Sequence, residues 1–161
     1  MKRVSDKYRL LFFICFLLIV LLVPACENNP ENASPLKNGY YTAEMDDFDF
    51  EGWKEFISIY VNNGHIATVE YNAKNSSGFI KSWDPNYMRE MNSIKNIYPN
   101  KYRREYTFAL LNYQTVDRID ALSGATRSYH SFISLAKAAI EQAKKGAKQI
   151  ALVKQPYKTK P

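Results

Sequence analysis

The sequence predicts an α+β domain, an antiparallel sheet with helices packed on it. Three observations carry this expectation. Residues 53–61 and 66–71 alternate apolar and polar side chains on either side of an Asn-Gly pair. Three apolar stripes at helical spacing follow between residues 84 and 145. A short apolar segment at 149–154 then closes the order as a last strand.

The elements follow in chain order. Residues 38–45 read as the first strand. Residues 53–61 read as the second, with Ile57, Ile59 and Val61 on one face and Phe56, Ser58 and Tyr60 on the other. Asn63-Gly64 is the strongest hairpin signal in the chain, because a type I′ turn needs positive φ at both central residues. The alternation resumes at 66–71 and Asn75-Ser76-Ser77-Gly78 breaks it. Asp84-Pro85 reads as an N-cap with proline at the first helical position, and Tyr87, Met88, Met91 and Ile94 recur at helical spacing after it. Pro99 opens a second helix with Tyr102, Tyr106, Ala109, Leu110 and Tyr113 on one side. Tyr129, Phe132, Ile133, Ala136, Ile140 and Ala143 form a third stripe, ended by Gly146.

The N-terminus reads as an export signal rather than as part of the fold. Lys2, Arg3, Lys7 and Arg9 precede an unbroken apolar run at 10–23, which is shorter than the roughly 20 residues of a spanning helix. Val23-Pro24-Ala25-Cys26 closes it and resembles the lipobox of bacterial lipoproteins, with Pro24 where a small or hydroxyl residue is usual. The resemblance implies that the Cys26 thiol carries a diacylglycerol and that cleavage leaves Cys26 first. An uncleaved signal anchor is the alternative, and both readings place the domain on the extracytoplasmic side of a bacterial cell membrane. Residues 1–25 are the expected signal and 26–37 the lipidated cysteine with a flexible, proline-containing tether. One domain at 38–155 and a tail at 156–161 complete the chain.

Composition narrows the chemistry. The chain has only Cys15, inside the signal, and Cys26, so the mature domain has no disulfide and no cysteine metal site. The signal holds four basic and one acidic side chain, so half of the formal charge of +6 leaves with it. What remains is spread along the chain, with no stripe for nucleic acid. Glu44, Asp46, Asp47, Asp49 and Glu51 fit no metal loop and read as a solvated segment, so no metal is expected. His65, beside a turn, and His130, in a first helical turn, read as surface or capping residues; no catalytic set is apparent.

One segment is suited to a ligand. Asp120-Ala121-Leu122-Ser123-Gly124-Ala125-Thr126 delivers Thr126 to the start of the third helix, where unpaired N–H groups and the helix dipole favour an anion. Gly124 permits close backbone approach, and Ala125 keeps that approach open. The residues alone favour the commoner reading, an ordinary Ser/Thr-capped helix after a turn.

The same segment resembles the Asp-x-x-Ser/Thr-Gly-Ala-Thr flavinylation motif of FMN-binding domains, found in the flavin-carrying subunits of sodium-pumping NADH:quinone reductase and of the Rnf complex. Beyond the motif, residues 38–44, Gly52-Trp53-Lys54, the hairpin, residues 78–84 with Lys81-Ser82, and the third helix resemble the membrane-anchored lipoproteins known as major membrane immunogens. The resemblance implies that a flavin transferase esterifies the phosphate of FMN to Thr126, with Asp120 as the motif's acid. It also implies Lys81 and Ser82 as flavin contacts, and Trp53, Trp83 and Tyr87 are candidates for the aromatic wall that a flavin ring needs, with core packing as the alternative for each. The implied role is a tethered electron carrier rather than a stand-alone enzyme, between a membrane redox partner and a downstream acceptor. Alternatives from other classes are a surface lipoprotein that binds FMN noncovalently, a non-redox binding or antigen module, and an assembly factor that keeps only the fold.

Overall fold

The computed structural model describes residues 35–159. The expectations for the signal, for Cys26 and for the tether up to residue 34 lie outside the described residues. The elements are β1 (Gly39–Met45), β2 (Lys54–Asn62), β3 (His65–Lys74), a single 3-10 turn (Lys81–Trp83), α1 (Pro85–Lys95), α2 (Pro99–Tyr113), α3 (Thr126–Lys145) and β4 (Ala151–Val153).

Four strands form one sheet in the order β3-β2-β1-β4. The first three are antiparallel, as the alternation predicts. Asn63 at φ 51° and Gly64 at φ 76° make the expected tight turn, and a one-residue register shift at Tyr60/Val61 sits beside it. The sheet is mixed rather than purely antiparallel, because β4 pairs parallel with β1. The cause is α3: it runs back towards the start of β1, where Lys37 N–H donates to Ala143 O at 3.0 Å, so the following strand leaves in the direction of β1.

Helices cover one face of the sheet. Ile57, Ile59 and Val61 are fully buried beneath them, while Phe56, Ser58 and Tyr60 are half-buried on the other face. Buried Ala136, Ala139 and Ala143 let α3 approach β1 and β2 closely. Phe132 packs against the rings of Tyr71 and Tyr106, with centroids at 5.1 and 5.3 Å, and joins α3 to both α2 and β3. Truncating such a ring costs about 3–5 kcal/mol.

The packing of α1 is different. Asp84 caps it by accepting from the N–H groups of Asn86 and Tyr87, and Pro85 begins it, both as expected. Yet none of its residues is buried, and Ile94 is 72% exposed. Tyr87, Met91 and Ile94 of its stripe border a cavity, and Met91 also packs against the core. The described backbone is also ordered at both edges of the domain: Leu36 packs on the core, and Phe50 N–H donates to Tyr157 O at 2.9 Å.

Candidate functional site

A cavity of about 680 Å³ opens between α1, the first turn of α3 and the loop before β2, within the range of small-molecule sites. Tyr87, Met91 and Ile94 of α1 form one wall. Residues 124–128 form the opposite rim, with Ser131 below it. Glu55, Lys81 and Tyr102 line the interior, and Asp49, Glu51 and Tyr157 close the third side.

The rim explains the motif's composition. Gly124 has φ 80°, and an added Cβ would lie 3.0 Å from Ile97 and 3.1 Å from the Lys95 carbonyl. Glycine is thus needed for its conformation and for close contact with the chain leaving α1. Ala125 is buried and anchors the turn. Thr126 is the first residue of α3 and is exposed at the cavity. The preceding Ala125 gives no side-chain cap, so the first N–H groups of α3 remain available to an anion.

Charge is paired across the cavity. Glu51 accepts from Arg127 at 3.0 Å and from Tyr87 Oη at 3.0 Å, and Lys81 Nζ stands 3.7 Å away. Burial alone would raise the Glu51 pKa, but Arg127, Lys81 and Tyr87 outweigh it and hold the carboxyl below its usual range. Burial pushes Lys81 down, against the pull of Glu55 and Glu51. Its ammonium also lies over the rings of Tyr87 and Trp53, at 4.4 and 5.2 Å.

Glu55 lines the same cavity, and burial raises its pKa against the lowering hydrogen bonds from Ser131 and Tyr71. Tyr71 Oη lies 2.5 Å from its Oε1 and 3.0 Å from the carbonyl of Ser128. A hydroxyl has one proton to give. The shorter contact makes Glu55 the main acceptor of that proton, with the Ser128 carbonyl as the second. The chain Glu55–Tyr71–Ser128 therefore ties β2 and β3 to the first turn of α3.

The residues singled out in the sequence divide into two groups. Thr126, Gly124, Ala125 and Lys81 line the cavity. Trp53 lies behind it, packed edge-on against Tyr87 at 6.2 Å. Ser82 Oγ accepts from Asn72 at 3.1 Å, away from the cavity. Asp120 and Ser123 are exposed outside it. The acidic segment disperses: Glu44 pairs with Lys54 and Lys74 at 2.9 and 3.0 Å, and Asp47 pairs with Lys158 at 2.9 Å. Asp49 accepts from Glu51 N–H and Trp53 N–H at 2.9 and 2.8 Å, which turns Glu51 towards the cavity. Among the described residues no cluster of three His, Cys, Asp or Glu groups could hold a metal.

Glu55, Tyr102 and Tyr157 belong to the site but were not singled out for it in the sequence, and Glu51, read there as part of a solvated acidic segment, is instead paired with Arg127, Lys81 and Tyr87. Only Glu55 left a sign there: it shares the strand face of Ile57, Ile59 and Val61, where a carboxylate is out of place.

No protein-family model matches the chain. It is 35% identical to the 15 kDa lipoprotein of Treponema pallidum (strain Nichols) over 133 residues, which is 83% of this chain and 91% of that protein. The crystal structure of the CPE2226 protein of Clostridium perfringens superposes with a TM-score of 0.71 at 34% identity, covering 74% of this chain and 98% of the other. A solution structure from Clostridium thermocellum reaches a TM-score of 0.47 at 27% identity, covering 71% of this chain and 95% of the other.

Proposed function

The chain belongs to the family of the 15 kDa lipoprotein of Treponema pallidum, and from that premise we propose that it is a membrane-tethered electron carrier with FMN esterified to Thr126. The lipid on Cys26 holds the domain at the extracytoplasmic face of the membrane. The observation that carries the flavin reading is the meeting of three features at one residue. Thr126 is exposed, it begins an uncapped helix, and it borders a cavity of about 680 Å³.

The residues present fit the group. The free N–H groups of the first turn of α3 and the Arg127 guanidinium suit a phosphate ester on Thr126 Oγ1. Tyr87, Met91, Ile94 and Tyr102 offer an apolar and aromatic wall for a ring. When bound, the flavin supplies one- and two-electron redox chemistry. The protein's part is to position that group, exclude water on the α1 side and set the charge around it.

The charge balance favours covalent attachment over simple binding. Asp49, Glu51, Glu55 and Glu90 line the cavity against Lys81, Lys95 and Arg127, and Arg127 is already engaged by Glu51. Such a cavity attracts an anion weakly even with Glu55 protonated. An ester keeps the ligand on an exported protein, where a dissociated one diffuses away. In the transfer, Thr126 Oγ1 attacks the FMN phosphorus of FAD, AMP leaves, and the hydroxyl proton goes to the transferase or to water. Asp120 and Ser123, exposed beside the rim, are then open to the transferase rather than to the bound flavin.

Denaturing-gel fluorescence tests this reading in cells that also make an active flavin transferase. The wild-type band is expected to fluoresce, with an intact mass raised by FMN less water, and Thr126→Val is expected to be dark and fully folded. A dark wild-type band alongside a fluorescent control substrate removes the covalent reading. Yellow flavin released on denaturation would instead identify noncovalent binding.

A further inference from the structure

The end of α3 away from the cavity carries lysines that no carboxylate among the described residues pairs. Lys37 marks the point where the tether reaches the domain, and its Nζ donates to Lys145 O at 3.1 Å. Lys148 Nζ donates to Asn38 O at 3.3 Å and lies 4.1 Å over the Tyr41 ring. Lys37, Lys145 and Lys148 are exposed, and among the described residues none of them forms an ion pair. Lys144 beside them is taken by Glu141 at 2.7 Å. Tyr40, 67% exposed, stacks on Tyr60 at 4.6 Å next to the same corner.

A helix C-terminus favours lysine, which accounts for Lys145. It also accounts for Lys37, whose Nζ donates to the last carbonyl of α3, but not for Lys148, which lies beyond the helix and brings a third ammonium to the same corner. We propose that this corner is a docking surface for anionic phospholipid headgroups, with Lys37, Lys145 and Lys148 on the phosphates and the Tyr40–Tyr60 pair at headgroup depth. The occupant is set by the chain itself, on the reading that Cys26 is lipidated. Residues 27–34 span at most about 30 Å when extended, so the lysines stay close to the bilayer. Charges act there only within about 8 Å at physiological salt, which short tethering makes routine.

The consequence is a fixed orientation. α3 has 20 residues and runs about 30 Å from the lysine corner to Thr126. With its C-terminal end on the headgroups, the cavity points away from the membrane. Three lysines favour that pose by roughly a hundredfold over a neutral surface.

Hydrogen exchange on the lipidated full-length protein tests the proposal, in phosphatidylcholine vesicles with or without phosphatidylglycerol at about 30%. Residues 37–41 and 144–150 are expected to exchange more slowly on the anionic vesicles, with 124–128 unchanged. The difference is expected to vanish at about 1 M salt, where the Debye length is near 3 Å. It is also expected to vanish in Lys37→Gln/Lys145→Gln/Lys148→Gln, whose β2 protection reports an intact fold. Equal exchange on both vesicles, or protection at the cavity end, overturns the proposal. Flotation with neutral vesicles reports the anchor separately: floating protein with equal exchange refutes docking alone, and protein that floats with neither vesicle refutes both readings.

Discussion

The two ends of α3 handle charge in opposite ways. At its N-terminus, Arg127 meets Glu51 at 3.0 Å, and the largely buried Lys81 stands 3.7 Å from the same carboxylate. At its C-terminus, Lys145 and, just beyond the helix, Lys148 face solvent with no carboxylate partner among the described residues. Charges at the first end are half desolvated, so each must find a partner or change its protonation state. Charges at the second end stay hydrated and cost little to leave unpaired. The first arrangement builds a cavity with defined polarity. The second leaves positive charge free for something outside the protein.

This contrast predicts a graded series of effects. The largest is expected from Gly124→Ala, which places a methyl against Ile97 and the Lys95 carbonyl at a φ of 80°. A loss of about 1–3 kcal/mol in urea unfolding is expected, together with loss of flavin attachment. Glu51→Gln comes next, at about 1–2 kcal/mol at neutral pH, because it leaves Lys81 and Arg127 without their shared partner. The Glu51 carboxyl is held low, so its contribution is present above the unfolded carboxylate range and is lost as pH falls through its lowered value. Wild type and Glu51→Gln should therefore converge in acid unfolding curves.

Glu55 has the opposite sign. Its pKa is raised by burial, so its contribution is full below the unfolded value and is lost as pH rises through the raised one. Thermal unfolding followed upward in pH from the unfolded carboxylate range should show a fall in wild-type stability that Glu55→Gln lessens. The smallest effect is expected from Lys37→Gln/Lys145→Gln/Lys148→Gln, within about 1 kcal/mol of wild type in solution. A large loss there would show that the second end is structural and would erase the contrast.

The fold was legible because its signals are local. The Asn63-Gly64 turn, the Asp84-Pro85 cap and the Gly146 stop each act within a few residues, and each stands where the sequence puts it. The stripe of α3 is regular enough to identify its buried face, down to Phe132 and Ala136. The stripe of α1 was equally clear but ambiguous, since periodicity shows that a helix has an apolar face and not what that face meets. Core and cavity wall look alike in sequence.

The site was legible along its rim, where Gly124, Ala125 and Thr126 are contiguous at one helix start, and inside it only at Lys81, through the family resemblance. Trp53 and Ser82 stood out in the sequence but lie behind or beside the cavity. Glu51, Glu55, Lys81, Tyr102 and Tyr157 come from separate parts of the chain and share a cavity only once α1 and α3 are placed. The sequence by itself therefore determined the order of strands and helices, the hairpin, the helix ends and the position of Thr126 at one of them. Tertiary structure alone decided the parallel pairing of β4, the cavity under α1, the raised pKa of Glu55 and the gathering of lysines at the far end of α3. The physical reason is range: backbone preferences and caps act over a few residues, whereas desolvation and charge pairing depend on groups brought together from distant segments.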